Sequence, residues 1–268
     1  MLFAVACNAA SISRIMLLDR DSINRLLLRV RAQARRIVGK QNPEKVMTTR
    51  RPMRSLEEFC QYLIERDLTP STVIDVGAAW GTQEILQPFP QAYHVLIDPV
   101  PTYEARMKQI LGKYRGEYHL IALSDEPGEM PMVVQQGGEV SASLSSSVGA
   151  NTIMVPVDTL DNLFAGRDLE GPILIKTDCQ GYDMHVMRGG REFLNRVDVA
   201  VCEVNMFHPT GRPDLPDFGE IVITMRNLGF AVYDIVSYQT RPFDMALGYV
   251  DLVFAREGGP LRKYHRWA

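Results

Sequence analysis

Cysteine is scarce in this chain. Its four cysteines, Cys7, Cys60, Cys179 and Cys202, lie far apart and form no C-x-x-C pair, which excludes the usual zinc ribbons and disulfide frameworks and favours a reducing compartment. Long apolar runs are missing too. No stretch approaches the roughly 20 residues that a membrane-spanning helix needs, so the expected location is cytoplasmic, with any membrane contact peripheral. The opening Met1–Cys7 is too short, and lacks the leading basic segment, for a secretory signal. There is no internal repeat, and the apolar (46%) and charged (23%) fractions are those of an ordinary folded protein rather than a disordered or fibrous one.

One imbalance does stand out, in how charge is distributed. Residues 1–54 carry 12 Lys+Arg against 3 Asp+Glu, so a net charge of -3 for all 268 residues leaves -12 for the remainder. Within the basic part, Ile15, Leu18, Ile23, Leu26, Leu27 and Val30 recur at helical spacing among arginines, predicting a helix over Ser13–Val38. The favoured reading is a helix packed on the body with its arginines solvated, and a membrane-surface or protein-binding arm is the alternative. The segment 39–54, with Pro43 and Pro52, reads as a linker. A capping box at Ser55 and Glu58 then opens a helix to about Arg66. The division expected is a basic helical arm and linker over 1–54 and one larger domain over 55–268.

From Ser71 onward, short β-branched runs alternate with helical stretches, the pattern of a largely parallel sheet wrapped by helices. Seven strands are predicted, at Thr72–Val76, Tyr93–Ile97, Tyr118–Ala122, Ile173–Thr177, Val197–Glu203, Ala231–Val236 and Tyr249–Ala255. Two further extended pieces, Met130–Gln135 and Thr152–Val157, flank a serine-rich segment and read as an inserted β-hairpin.

The first strand runs straight into a turn, Val73-Ile-Asp-Val-Gly-Ala-Ala-Trp-Gly81. Glycine belongs where the backbone lies against a ligand or takes unusual torsions. A pyrophosphate calls for G-x-G-x-x-G before a helix, and this turn has only Gly77 and Gly81 around Ala78, Ala79 and Trp80. A cationic sulfonium donor suits it better, with Asp75 supplying negative charge on the methionine side. Asp98 closes the second strand 21 positions after Gly77 and is placed to accept hydrogen bonds from ribose hydroxyls. After the third strand, Ser124 or Asp125 is the candidate partner of an adenine amino group. The cofactor set is therefore Asp75, Gly77, Ala79, Gly81, Asp98, Ser124 and Asp125.

Three blocks together resemble the FkbM-type methyltransferases: Ile74-Asp-Val-Gly-Ala-Ala-Trp-Gly81, Val155-Pro-Val-Asp-Thr-Leu-Asp161, and Ile175-Lys-Thr-Asp-Cys-Gln-Gly-Tyr-Asp183 followed by Gly189-Gly190. The resemblance covers roughly Ser71–Ala255. It implies an α/β fold with a Rossmann-like, doubly wound seven-stranded sheet whose last strand is antiparallel, S-adenosylmethionine as methyl donor, and sugar or polyketide hydroxyls as acceptors. Two departures are visible, since the family usually has Asn where this chain has Ala79 and Glu where it has Asp183.

Transfer to an alcohol needs positioning and somewhere for the hydroxyl proton to go. Ligands of open α/β sheets collect at strand carboxyl ends, which selects Asp178 at the fourth strand, Lys176 two residues earlier on the same side, and Glu203 at the fifth. His208, in the loop after that strand, is a further candidate base; His185, on the next helix, reads as structural. Asp178, Asp183 and Glu203 are carboxylates of a kind that binds divalent ions, but no ligand spacing is recognisable and no metal is expected. Competing readings are a nicotinamide-dependent oxidoreductase or epimerase, which wants a third glycine and a Tyr-x-x-x-Lys pair not found here, and a non-catalytic cofactor-binding module. The partner expected is a small-molecule or glycan acceptor. Nucleic acid is not expected, because the body is acidic and the Asn/Asp-Pro-Pro-aromatic signature is absent.

Overall fold

The computed structural model describes residues 53–134, 142–144, 152–208 and 215–266. All belong to one unit, Met53–Ala268, and the helix expected over 13–38 lies outside them. In chain order the elements are α1 (Leu56–Glu65), β1 (Thr72–Val76), α2 (Gln83–Leu86), β2 (Tyr93–Ile97), α3 (Glu104–Leu111), β3 (Gly116–His119), β4 (Ala122–Leu123), β5 (Gly128–Val134), β6 (Ala142–Leu144), β7 (Thr152–Asp158), α4 (Leu160–Leu163), β8 (Ile173–Thr177), α5 (Asp183–Arg188), β9 (Val199–Asn205), α6 (Phe218–Asn227), β10 (Phe230–Thr240) and β11 (Leu247–Arg256).

Seven strands form the main sheet in the order β10-β11-β9-β8-β1-β2-β3. Pairings from β3 to β9 are parallel, and β11 runs antiparallel to both β9 and β10. Side chains alternate along each strand, so one sheet must be covered twice. Ile74, Val76 and Ile175 pack on Met184 and Met187 of α5 and Ile221 and Met225 of α6. Their neighbours Val73 and Leu174 face the other way, onto Phe59 and Leu63 of α1 and Ile85 of α2. Leu96 on that same face meets Met107 and Ile110 of α3. This is the doubly wound, Rossmann-like arrangement. The α1 capping box is present in full: Glu58 N–H donates to Ser55 Oγ at 3.1 Å and Ser55 N–H to Glu58 Oε2 at 2.9 Å.

One expectation needs correction. The third strand is Gly116–His119 rather than Tyr118–Ala122, and its residues are all only partly buried, so this sheet edge carries no apolar run to mark it. The chain then leaves the sheet, and Ala122–Leu123 pairs with β7 instead. The two pieces of the expected hairpin pair antiparallel as β5 and β7, and β4 and β6 widen them into a four-stranded sheet, β4-β7-β5-β6.

Candidate active site

The parallel order reverses direction between β1 and β8, and the chain leaves both strands at their carboxyl ends toward the same crevice. Behind β1, Gly77 takes φ +77° and lies so close to β8 that a Cβ there would stand 2.1 Å from the Asp178 carbonyl oxygen. Only glycine allows both. Gly77 and Ala78 N–H donate to the Ile97 carbonyl at 2.9 and 3.1 Å, which ties the turn to β2. The Asp98 carboxylate completes the tie, accepting from Ala79 N–H and from Val100 N–H, each at 2.9 Å. Burial raises its pKa and these two bonds oppose the rise. Trp80 is 61% exposed; its carbonyl accepts from Arg106 Nε at 3.0 Å, and its ring meets Tyr103 edge-on at 5.3 Å.

A cavity opens beside this turn, bounded by Gly77, Ala79, Asp98, Pro99, Val100 and Tyr103 on one side and by Asp178, Cys179, Gln180 and Tyr182 on the other. Its floor is apolar, with Ile121, Ala122, Leu123 and Met132. Apolar walls with a few converging polar groups are the usual form of a cofactor pocket.

Beyond Asp178 the crevice wall is crowded with ionisable groups. Lys176, only 6% exposed, donates from Nζ to Asp178 Oδ2 at 3.2 Å. Burial works against its charge, but Asp178, Asp75 and Asp251 outweigh it and raise the pKa. Asp178 also accepts from Gln180 Nε2 at 3.3 Å. Glu203, on β9 and in register with Asp251 of β11, is pushed up to about 8 by burial first and then by Asp178, Asp183 and Asp251. Asp183 is fully enclosed and pushed up to about 6, chiefly by burial. Among the described residues no group of three or more His, Cys, Asp or Glu side chains is arranged to hold a metal ion.

Against this geometry, a family model described as the methyltransferase FkbM domain matches residues 75–232. The chain belongs to the FkbM methyltransferase family. Solved structures similar to this FkbM methyltransferase include magnesium protoporphyrin IX methyltransferase (ChlM) from Synechocystis PCC 6803 with bound SAM, at 11% identity over 75% of this chain and 78% of that one, TM-score 0.42. Others are the 1,6-didemethyltoxoflavin-N1-methyltransferase of Burkholderia thailandensis (16% identity, 89% and 91% covered, TM-score 0.41) and Aeropyrum pernix fibrillarin (10%, 68% and 66%, TM-score 0.40). No curated protein matches the chain.

The donor of an FkbM methyltransferase is S-adenosylmethionine, and the residues present fit it. Each Asp98 oxygen accepts a single backbone N–H, leaving acceptor capacity on both for a pair of ribose hydroxyls. Gly77 clears the backbone approach, and Ile121–Leu123 with Met132 offer an apolar slot for a purine.

Of the residues singled out in the sequence, Gly77, Ala79, Asp98 and Asp178 line the cavity. Asp75 does not. It is fully buried, accepts from Thr82 N–H and Oγ1 at 3.1 Å each, and anchors the far end of the turn. Gly81 (φ +84°) likewise shapes the turn from behind, against Ile110 and Leu86. Ser124 and Asp125 line a neighbouring groove that shares Tyr182 with the cavity, rather than the cavity itself. There the Asp125 carboxylate is engaged, accepting from Ser124 Oγ and from His185 Nδ1, all at 3.1 Å. His208 stands exposed on the rim, with Nδ1 on the Leu215 carbonyl at 2.8 Å; it is not on the cavity wall. His185 packs on Tyr182 at 5.0 Å, consistent with a structural reading.

Sequence reasoning missed Pro99, Val100, Tyr103, Met132, Gln180 and Tyr182, which line the cavity but carry no spacing signal. The second family block and the Gly189-Gly190 pair that follows the third serve as scaffolding. Asp161 accepts from Glu192 and Phe193 N–H at 3.1 and 2.7 Å, while Gly189 lies so near the Ser124 carbonyl that a Cβ would be 2.0 Å from its oxygen.

Proposed function

We propose that this methyltransferase transfers the methyl group of S-adenosylmethionine to a hydroxyl of a sugar, glycan or polyketide-type small molecule. The observation that carries the reading is that Asp178, the one candidate side chain on both the cavity wall and the carboxylate-rich crevice, is held by Lys176 at 3.2 Å. When bound, the cofactor supplies a methyl group already activated on a sulfonium. The protein then has to orient the alcohol and accept its proton.

The Lys176 ammonium holds the Asp178 carboxylate in direction through its contact with Oδ2. Asp178 accepts a hydrogen bond from the acceptor hydroxyl, which aims the oxygen lone pair at the methyl carbon. Transfer would exchange the sulfonium S–C bond for the new O–C bond and release the neutral thioether, and the hydroxyl proton would pass to Asp178. Glu203 lies on the neighbouring strand with its carboxyl pushed up to about 8 by burial, so near neutral pH it keeps its own proton and can donate a hydrogen bond to the acceptor. His208 plays no part in this route. A basic arm over 1–54, a methyltransferase body over 55–268 and a cytoplasmic location belong to the same reading; the matched residues 75–232 fall inside that body, and no helix among the described residues is long and apolar enough to cross a membrane.

Incubation with methyl-labelled S-adenosylmethionine and fractionated extract is the direct test. The label should appear in a methyl ether. Recovery of the label only on nitrogen or carbon would reject the hydroxyl assignment.

A further inference from the structure

Beyond the crevice, the β10–β11 turn holds apolar side chains in water. Phe243 is 89% exposed, Met245 69%, Phe207 of the loop after β9 44% and Leu247 39%. Nothing in a two-strand connection demands such residues; turns are usually built from Gly, Asn, Asp and Pro. Exposed apolar side chains that gather on one surface, rather than being scattered singly, are a feature of binding sites.

The patch is also ordered by design. The Arg241 guanidinium lies 4.0 Å from the Phe207 ring centre and 5.8 Å from that of Phe243. Asp244 grips the same guanidinium in a fork, at 2.7 Å to Nε and 2.6 Å to Nη2. The fork balances the arginine charge, so the assembly is no anion trap. It is a fixed pair of aromatic surfaces, with most of Phe243 open to a ligand.

Its position continues the active site. Asp178 follows Thr177, whose register partner is Cys202, and β9 then runs through Glu203 to Asn205 beside Tyr249. Met206 N–H donates to the Gly248 carbonyl at 2.9 Å, which places Phe207 next to the β10–β11 turn. Tyr249 spans the interval: its hydroxyl donates to Gln239, and its pKa is raised by burial and then by Glu203, Asp251 and Asp178. At the rise of an extended strand, Phe207 lies no more than about 13 Å beyond the level of Glu203.

We propose that Phe207, Arg241 and Phe243 form an acceptor subsite that stacks an uncharged ring one unit away from the ring carrying the methylated hydroxyl. The inference deepens the hydroxyl-transfer reading and rests on it for the identity of the reacting end. It makes these three residues specificity determinants, with Asp244 acting through Arg241 as a positioning residue. Ring stacking on an aromatic face is worth about 1 kcal/mol beyond area burial, so two such surfaces predict a five- to thirtyfold preference for a two-ring acceptor.

The test uses the full chain saturated with S-adenosylhomocysteine and two probes, 2-naphthyl β-D-glucopyranoside and methyl β-D-glucopyranoside, with binding read by saturation-transfer NMR. The naphthyl ring should receive the strongest saturation, and the naphthyl probe should bind at least fivefold more tightly than the methyl one. F207A/F243A should erase that preference while leaving the calorimetric affinity for S-adenosylhomocysteine unchanged; D244A should weaken it without abolishing it. Equal binding of the two probes, no binding of either, or an unaltered preference in F207A/F243A overturns the subsite. So does a concentration-dependent dimer in sedimentation that F243A dissolves, which would make the patch a contact between copies. Methyl transfer scored separately keeps the readings apart: ring preference without any methyl ether product sinks the hydroxyl assignment and leaves the subsite standing.

Discussion

At the scale of single residues, Asp98 and Glu203 show how one chemical group serves two ends. Asp98 is fixed by two backbone N–H donors, so its carboxylate is pre-aimed before any ligand arrives. Hydrogen bonds to charged groups contribute about 1.5–3 kcal/mol each. Asp98→Ala should therefore lower affinity for S-adenosylhomocysteine at least tenfold by calorimetry, and an unchanged affinity would remove the ribose from this position. Glu203 is held with its proton. Below about pH 4.5 both folded and unfolded chains keep that proton, so the group has no effect on stability. Between there and about 8 only the unfolded chain releases it, and stability must fall as pH rises. Glu203→Gln should match the parent near pH 4.5 and exceed it at pH 8 by about 2–4 kcal/mol after solvent screening, measured by urea unfolding at the two pH values.

At the scale of elements, the turn after β1 governs both stability and binding. Ala79 sits at φ +42°, a region that non-glycine residues enter at a cost of about 1 kcal/mol and that Asn tolerates best. Ala79→Asn should stabilise the fold by about 0.5–1 kcal/mol in thermal unfolding, with Gly77→Ala as its opposite. The added methyl would strike the Asp178 carbonyl, prise β1 from β8 and cost about 2–4 kcal/mol together with most cofactor affinity. The same elements show what a sequence can reveal. β1, β2 and β8 are legible to the residue because each is a five-residue run rich in β-branched and apolar side chains and bounded by turn signals, and α1 because its capping box is local chemistry. β3 was misplaced because it borders the sheet and is half wet, so the apolar Leu120–Leu123 stretch imitated it. β4 and β6, two and three residues long, carry too few side chains to show a period. Site residues separate along the same line. Gly77, Ala79, Asp98 and Asp178 follow from strand ends, whereas Tyr103, Gln180 and Tyr182 reach the cavity only through tertiary packing. Asp75 shares the strand-end signal but spends its carboxylate on Thr82.

At the scale of the whole molecule, binding and folding are linked. A ligand that binds only the folded chain stabilises it by about 2.7 kcal/mol at one hundred times its dissociation constant. For a body of this size that is a rise in melting temperature of about 5–10 °C. S-adenosylhomocysteine should produce such a rise and NAD none, since two glycines leave no cradle for a diphosphate; a comparable rise with NAD would refute the donor assignment.

The narrow gap between Gly77 and the Asp178 carbonyl also limits how such a protein can be altered. One strand end is shared by the halves that hold donor and acceptor, so neither half can drift alone without disturbing its neighbour. The β10–β11 turn carries no such burden. Under the acceptor-subsite proposal, grafting that turn from a relative changes the acceptor while the turn behind β1 stays intact.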